Sequence, residues 1–332
     1  MVKPVDNELS STDDVMKASR FAWFSQKCDT RRERTVLKKR FFLCLNGPKA
    51  RRVALAVVIC VIGIPLNAHK ILFVGNSFTF GAGSAVRKYH ADQVTDRNGD
   101  GIGGVPALFK LFTKEAGLHW AVSLETAPGT DLAFHYKQRR RQLAGAWDVV
   151  VLQGHSMLNA AKPGDASEHV RMATLLAAMF KCANPKTQIF IESTWSRADQ
   201  VYPSKGHWYG KPIGAMADDL ARANTVAMRS SRDIADTIPV GTAWSRAMHD
   251  GVADPNPYDG IDFGKIDLWT WDHYHASSAG YYLAALVIFG RVTKIDPRTL
   301  SAAEIAGDEL GLEPQLVVRL QSTAADELAA AL

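Results

Sequence analysis

The chain has 332 residues, of which 47% are hydrophobic and 22% charged, proportions that exclude a disordered polymer and allow one large globular domain or two small ones. Its net charge of +5 is unevenly spread: 13 of the 39 Lys and Arg but only 6 of the 34 Asp and Glu lie in residues 1–68, leaving the rest slightly acidic. A folded region without a basic excess lacks the electrostatic footprint of a nucleic-acid binder, so no nucleic-acid partner is expected.

Residues 1–48 are polar, charged and aperiodic, and read as a disordered extension or a misassigned start. Residues 49–68 have a basic front (Lys49-Ala-Arg-Arg52), an apolar centre and a Leu66-Asn67-Ala68 end, the pattern of a secretory signal peptide. Its apolar stretch falls short of the roughly 20 residues that a membrane span needs. Cleavage after Ala68 predicts a secreted or periplasmic protein, touching a membrane only through this segment if it stays uncleaved. Cys28, Cys44 and Cys60 precede Ala68 and only Cys182 follows it, so no disulfide framework is available. Cys182 reads as a small buried hydrophobe.

From Lys70 onward short β-branched runs alternate with helical periodicity. Strands are predicted at 70–75, 119–126, 147–153, 187–194 and 238–241, and helices at 105–116, 131–144, 166–181, 214–234 and 281–289. Continuous apolar runs such as Val149-Val-Val-Leu152 and Ile189-Phe-Ile191 suit strands buried on both faces, hence a parallel sheet covered by helices. Residues 253–271, rich in Pro, Gly, Asp and aromatics, read as a long ordered loop. In such sheets ligands collect beyond the carboxyl ends of the strands.

The first strand ends in Gly75-Asn-Ser-Phe-Thr79, a turn that puts the Ser77 hydroxyl at the carboxyl edge of the sheet, where a nucleophile belongs. Near the other end stands Trp271-Asp-His-Tyr-His275, ahead of the last apolar helix. A carboxylate three residues before an imidazole can accept a hydrogen bond from one ring nitrogen and fix the tautomer, leaving the other nitrogen to face a serine hydroxyl. Asp272 and His275 are that pair, with His273 the competing base.

Between the first strand and first helix, Asp96-Arg-Asn98-Gly-Asp100-Gly places oxygen donors at alternate positions, as a calcium loop does. Asp96, Asn98 and Asp100 are candidate ligands of a structural Ca²⁺. The twelfth position is Ala107 instead of a bidentate acid, so any such site draws ligands from elsewhere. Trp195, Tyr202, Trp208, Tyr209, Tyr258, Trp269 and Trp271 crowd the later loops. Of these, Trp195, Trp208 and Trp271 are candidate sugar-stacking platforms, and Asn76 and His155 are further candidates for substrate contact.

Gly75-Asn-Ser-Phe-Thr79 and Asp272-x-x-His275 together resemble the first and last blocks of the SGNH (GDSL-like) hydrolases, over about residues 70–292; Gly-Asn-Ser-Phe-Thr in place of Gly-Asp-Ser resembles a bacterial subgroup. The resemblance implies a Ser77–His275–Asp272 triad and an oxyanion hole built from the Ser77 amide and Gly129, in Ala127-Pro-Gly-Thr130. Where the family has Gly-x-Asn-Asp, this chain has Leu152-Gln-Gly-His-Ser156, similar to a Gln-Gly-Glu-Ser segment of some carbohydrate acetylesterases. The Gln153 side-chain amide is therefore expected as the third donor.

The expected architecture is a three-layer α/β/α sandwich with a flavodoxin-like parallel sheet, the hydrolase domain spanning 69–298 and a helical segment 299–332 either packed on it or loosely attached. The expected activity is a serine esterase that needs no cofactor for the reaction and acts on a small-molecule or carbohydrate ester, preferably an O-acetylated carbohydrate. The alternatives are a lipase-like acyl esterase, a non-catalytic carbohydrate- or calcium-binding protein on the same fold, and a metal hydrolase using His155, Asp272, His273 and His275.

Overall fold

The computed structural model describes residues 68–331; the extension and the signal segment, except Ala68, lie outside the described residues. Six strands, β1 (His69–Gly75), β2 (Thr95–Asp96), β3 (Trp120–Thr126), β4 (Val149–Gln153), β5 (Gln188–Glu192) and β6 (Ile234–Ile238), form one sheet in the order β2-β3-β1-β4-β5-β6. Every pairing is parallel. The alternation of side chains sorts the core into two clusters. Ile71, Phe73, Val149, Val151 and Phe190 pack against the helices Gly104–Glu115, Val240–His249 and Ser278–Thr293. Leu72, Val74, Val150, Leu152, Ile189 and Ile191 pack against Leu132–Gln138 and Ser167–Ala183. Both faces of each central strand are covered, which is why these strands read as unbroken apolar runs.

The three-layer parallel architecture is as expected, with local departures. The strand expected at 238–241 ends at Ile238, and Val240–His249 is a helix entered through Pro239. Proline lacks the N–H that a further ladder bond needs, and its fixed φ suits a helix entry. The helix expected at 131–144 breaks at Arg139 into Leu132–Gln138 and Arg140–Leu143. Cys182 is exposed near the end of its helix, not buried. The 253–271 loop is organised by buried Asp254, whose carboxylate accepts the N–H of Asn256 (2.9 Å) and of Asp262 (3.0 Å).

The C-terminal segment is packed on the helices that cover one face of the sheet, not loosely attached. Val317, Leu320 and Ala324 of the helix Pro314–Ala330 join the same core cluster as the sheet, and Arg246 pairs with Glu327 at 2.9 Å. They seal the outer side of Ser278–Thr293, whose residues from Ala279 to Val292 are all buried. A helix that is apolar all round needs such cover. Gly290 permits the close approach: a β-carbon there would come within 2.4 Å of Leu328 Cδ1. Among the described residues no helix is long and apolar enough to cross a membrane.

Candidate active site

The strand order reverses direction around β1, with β3 on one side and β4 on the other, and such a switch point opens a crevice at the carboxyl ends of the strands. Register brings three loop starts together there: Gly75 lies opposite Thr126, and Val74 opposite Leu152. Ser77 therefore sits between the loop that follows β3 and the loop that follows β4.

The turn that carries Ser77 has little room. A β-carbon on Gly75 would come within 2.2 Å of Thr79 Oγ1 and 2.6 Å of Gln153 Oε1, so only glycine fits. Asn76, 2% exposed, ties the three loops: its N–H donates to Gln153 Oε1 (2.8 Å), its Oδ1 accepts from the Phe78 N–H (3.1 Å), and its Nδ2 donates to Thr130 O (2.9 Å) and Gly154 O (3.2 Å). With every donor committed, Asn76 is a hub inside the protein and not the substrate contact expected from the sequence.

Gln153 differs from expectation for the same reason. Its carbonyl accepts from Asn76 N–H and from Thr79 Oγ1 (3.0 Å), while its Nε2 donates to Gly154 O. The carbonyl end of the amide holds the Ser77 turn, and one N–H of the expected donor is engaged by the neighbouring Gly154 carbonyl. By contrast, the N–H groups of Ser77 and Gly129 donate to no acceptor among the described residues. Gly129 is exposed and adopts φ +68° with open space where a β-carbon would lie, a left-handed conformation that glycine adopts without strain.

On the other wall, His275 Nδ1 lies 2.6 Å from Asp272 Oδ2, and Asp272 Oδ1 accepts the N–H of His275 (2.8 Å) and of Tyr274 (2.9 Å). Burial alone would raise the Asp272 carboxyl, but the hydrogen bonds from the His275 ring and from the two backbone N–H groups together outweigh it and hold the group below the ordinary aspartate range. His275 Nε2 is shielded from solvent and has no hydrogen-bond partner among the described residues. Ser77 Oγ makes no hydrogen bond among the described residues either, so the two walls meet without a direct Ser77–His275 bond. They are nevertheless strapped together: the Phe78 and His275 rings are 5.8 Å apart, and Tyr281 OH, from the helix after His275, donates to Ser77 O (3.2 Å) and Ala82 O (3.0 Å). His273, the competing base, has φ +53° and its ring lies 4.4 Å from that of Tyr258.

Trp195 is not at the rim. It is fully buried, stacked on Trp244 at 4.6 Å and close to Phe78 at 4.5 Å, and its Nε1 donates to Tyr274 O (3.1 Å). It forms the floor beneath both walls. Trp208 is also fully buried, donating to Asp219 Oδ2 (2.7 Å) within a small cluster that includes Val201, Met216 and Leu220. Only Trp271, 83% exposed and next to Asp272, keeps a free face. His155 is half-buried at the edge of the β4 loop; burial, and then the Arg197 cation, push it below the usual histidine range against the pull of Asp131.

Sequence reasoning missed Arg197. It follows β5, forms a two-point ion pair with Asp199 (2.9 and 2.7 Å), and lies 3.6 Å above the Tyr274 ring, which itself stacks at 3.9 Å on His275. Its one sequence signal is the charged Arg-x-Asp just past a strand end. Glu192, the last residue of β5 and the register neighbour of Gln153, was also missed. Burial pushes its carboxyl up to about 8. A raised carboxyl is protonated in the folded chain but ionised in the unfolded chain between about 4.5 and 8, so its contribution to stability is full below that window and is lost as pH rises through it. Glu192→Gln is expected to remove on the order of 4 kcal/mol of alkaline destabilisation. Thermal melts at pH 5 and pH 9 would check this, the variant's melting temperature falling less than the wild type's.

The candidate calcium loop is held by its own hydrogen bonds. Asp96 accepts the N–H of Asn98 (3.0 Å), Asp100 (2.9 Å) and Ile102 (3.2 Å), and Asn98 Nδ2 donates to Thr126 O (2.7 Å). The Lys88 ammonium lies on the carbonyls of Asp100 and Gly101 at 2.8 and 2.9 Å. A cation of the chain thus holds two backbone carbonyls of the loop, while Asn98 Oδ1 is buried with no hydrogen-bond partner among the described residues. Among the described residues no three His, Cys, Asp or Glu are grouped to hold a metal ion.

No protein-family model matches the sequence, and no curated protein is similar to it at significance. Among solved structures, the chain is similar to a DUF4886 family protein from Bacteroides uniformis, with 16% identity and a TM-score of 0.51 over 79% of this chain and 95% of that one. It is also similar to a proposed SGNH hydrolase from Slackia heliotrinireducens (23% identity, TM-score 0.46, 68% of this chain and 100% of that one). A variant of an acetyl-xylooligosaccharide esterase from Geobacillus is similar at 16% identity and TM-score 0.46, over 67% of this chain and 93% of that one. What this chain shares with the Bacteroides uniformis protein is the α/β fold with a parallel sheet.

Proposed function

We propose that the protein is a serine esterase of the SGNH type, secreted after cleavage following Ala68, with Ser77 as nucleophile, His275 as base and Asp272 as its orienter. The observation that carries the reading is the Asp272–His275 pair at 2.6 Å, whose second ring nitrogen is buried and unpartnered beside the strapped Ser77 turn. A neutral imidazole held by a carboxylate at Nδ1 has its Nε2 lone pair free for a proton. His275 Nε2 takes the Ser77 hydroxyl proton as Oγ bonds to the ester carbonyl carbon. The carbonyl oxygen, now negative, is met by the N–H groups of Ser77 and Gly129. The tetrahedral intermediate collapses, the imidazolium protonates the departing alkoxide, and water resolves the acyl-enzyme with His275 again as base.

Exposed Trp271 beside Asp272 offers a flat face suited to a sugar ring, so the preferred substrate class is an O-acetylated carbohydrate. The test is a fluorophosphonate probe followed by peptide mapping, alongside hydrolysis of p-nitrophenyl acetate and of an acetylated oligosaccharide. We expect turnover of both esters and a single labelled peptide containing Ser77; absence of label, or label on another serine, would overturn the assignment.

A further inference from the structure

We propose that Glu125, His135 and Thr130 form a buried positioning relay that fixes the turn 127–130, and with it the Gly129 N–H, against the Ser77 turn; this rests on the esterase reading, in which that N–H binds the oxyanion. Glu125 is on β3, one residue before its end, and His135 is on the following helix Leu132–Gln138. Both side chains are 0% exposed, and His135 Nδ1 is hydrogen-bonded to Glu125 Oε2. The other ring nitrogen, Nε2, lies 3.2 Å from Thr130 Oγ1, and the same hydroxyl donates to Ala127 O at 2.9 Å. One threonine hydroxyl therefore closes the glycine turn from its first residue to its last and fastens it to the helix behind.

The relay does not stop at the turn. Thr130 O accepts from Asn76 Nδ2 at 2.9 Å, and Asn76 directly precedes the nucleophile while its Oδ1 caps the N–H of Phe78. Carboxylate, imidazole, hydroxyl, turn and Asn76 are thus joined through named hydrogen bonds, and Ser77 follows Asn76 in the chain. Stability alone gives no reason for the arrangement: a wholly buried acid and imidazole cost more to desolvate than an apolar pair of similar volume. Glu125 Oε1 has no hydrogen-bond partner and faces Arg139 Nε only at 3.6 Å. What the pair supplies is a fixed direction for a hydroxyl beneath a glycine that adopts φ +68° with open space around it. A loose glycine turn would let its N–H wander from the position a tetrahedral oxyanion occupies, and donors must be preorganised to stabilise that charge. Neither His135 nor Thr130 touches the reacting atoms, so both act as positioning residues.

Thr130→Val replaces the hydroxyl with a methyl at nearly constant volume and is the decisive variant. We expect kcat for p-nitrophenyl acetate to fall by about 10- to 100-fold, KM to stay within about twofold and the melting temperature to stay near that of the wild type. Thr130→Ser should recover most of the rate. Amide hydrogen exchange followed by mass spectrometry should show the peptide covering 126–134 exchanging faster in Thr130→Val and His135→Gln, with β1 and β4 still protected. Wild-type kcat together with wild-type exchange in Thr130→Val would overturn the relay, as would a rate loss that follows the melting temperature and is not restored by serine. If the wild type hydrolyses no ester, the esterase reading fails by itself, and the exchange measurement alone decides whether the hydroxyl holds the turn.

Discussion

Ser77→Ala should lower kcat/KM for p-nitrophenyl acetate by at least about three orders of magnitude, because the variant has no oxygen to carry the acyl group, while the oxyanion donors and the imidazole remain. The loss should be nearly all in kcat. Folding should be unchanged within ~1 kcal/mol, since Ser77 Oγ makes no hydrogen bond among the described residues and the turn is held by Asn76, Gln153, Thr79 and Tyr281, which the substitution leaves alone. Steady-state kinetics with a melting curve on the same preparation decides the matter. A variant that keeps the wild-type rate moves the chemistry away from this serine; one that loses both rate and fold says nothing special about the hydroxyl.

Asp272→Asn is the second large effect, with an expected loss of about 10²- to 10⁴-fold in kcat at neutral pH. The asparagine carbonyl can still accept the N–H of Tyr274 and His275, which Asp272 Oδ1 holds now, so the turn survives. Its amide, however, replaces Oδ2 opposite His275 Nδ1 and donates where the carboxylate accepted. Nδ1 must then be the acceptor, the proton moves to Nε2, and the nitrogen facing the serine can no longer take one. Asp272→Ala would remove the turn contacts as well, so a melting temperature lowered in Ala but not in Asn separates the tautomer from the scaffold. The wild-type carboxylate also stabilises the fold: because its folded value lies below the ordinary aspartate range, that contribution is present above this range and is lost as pH falls through the lowered value.

The strand-helix alternation was legible because the buried strands leave continuous apolar runs and the amphipathic helices a 3.6-residue period. The triad candidates were legible because Ser77 follows the first strand and Asp272 and His275 are neighbours in sequence. Side-chain orientation was not. Gln153 carries a donor and an acceptor on one amide, and which of them faces the crevice depends on Asn76 and Thr79, far away in the chain. Trp195 and Trp208 occur in loops, as Trp271 does, yet two are interior and one is bare; only the packing of Trp244 and Met216 around the first two makes the difference. The link from Arg197 to His275 runs through the ring of Tyr274, a contact between segments that follow different strands. The helix Val240–His249 escaped notice because the apolar residues around Pro239 suit either state, and proline decides between them only through the geometry on each side.

The buried helix Ser278–Thr293 has a consequence for how the molecule comes into being. A ribosome delivers the strand before Ser77 early, His275 much later, and the helix Pro314–Ala330 last of the described elements. Until that helix is made, the platform beneath the imidazole has one greasy side open to water and little reason to settle. If the proposed esterase reading holds, hydrolytic power should therefore arrive abruptly on completion of the fold instead of growing with the chain, and a nascent polypeptide would carry its serine as an ordinary, unreactive alcohol.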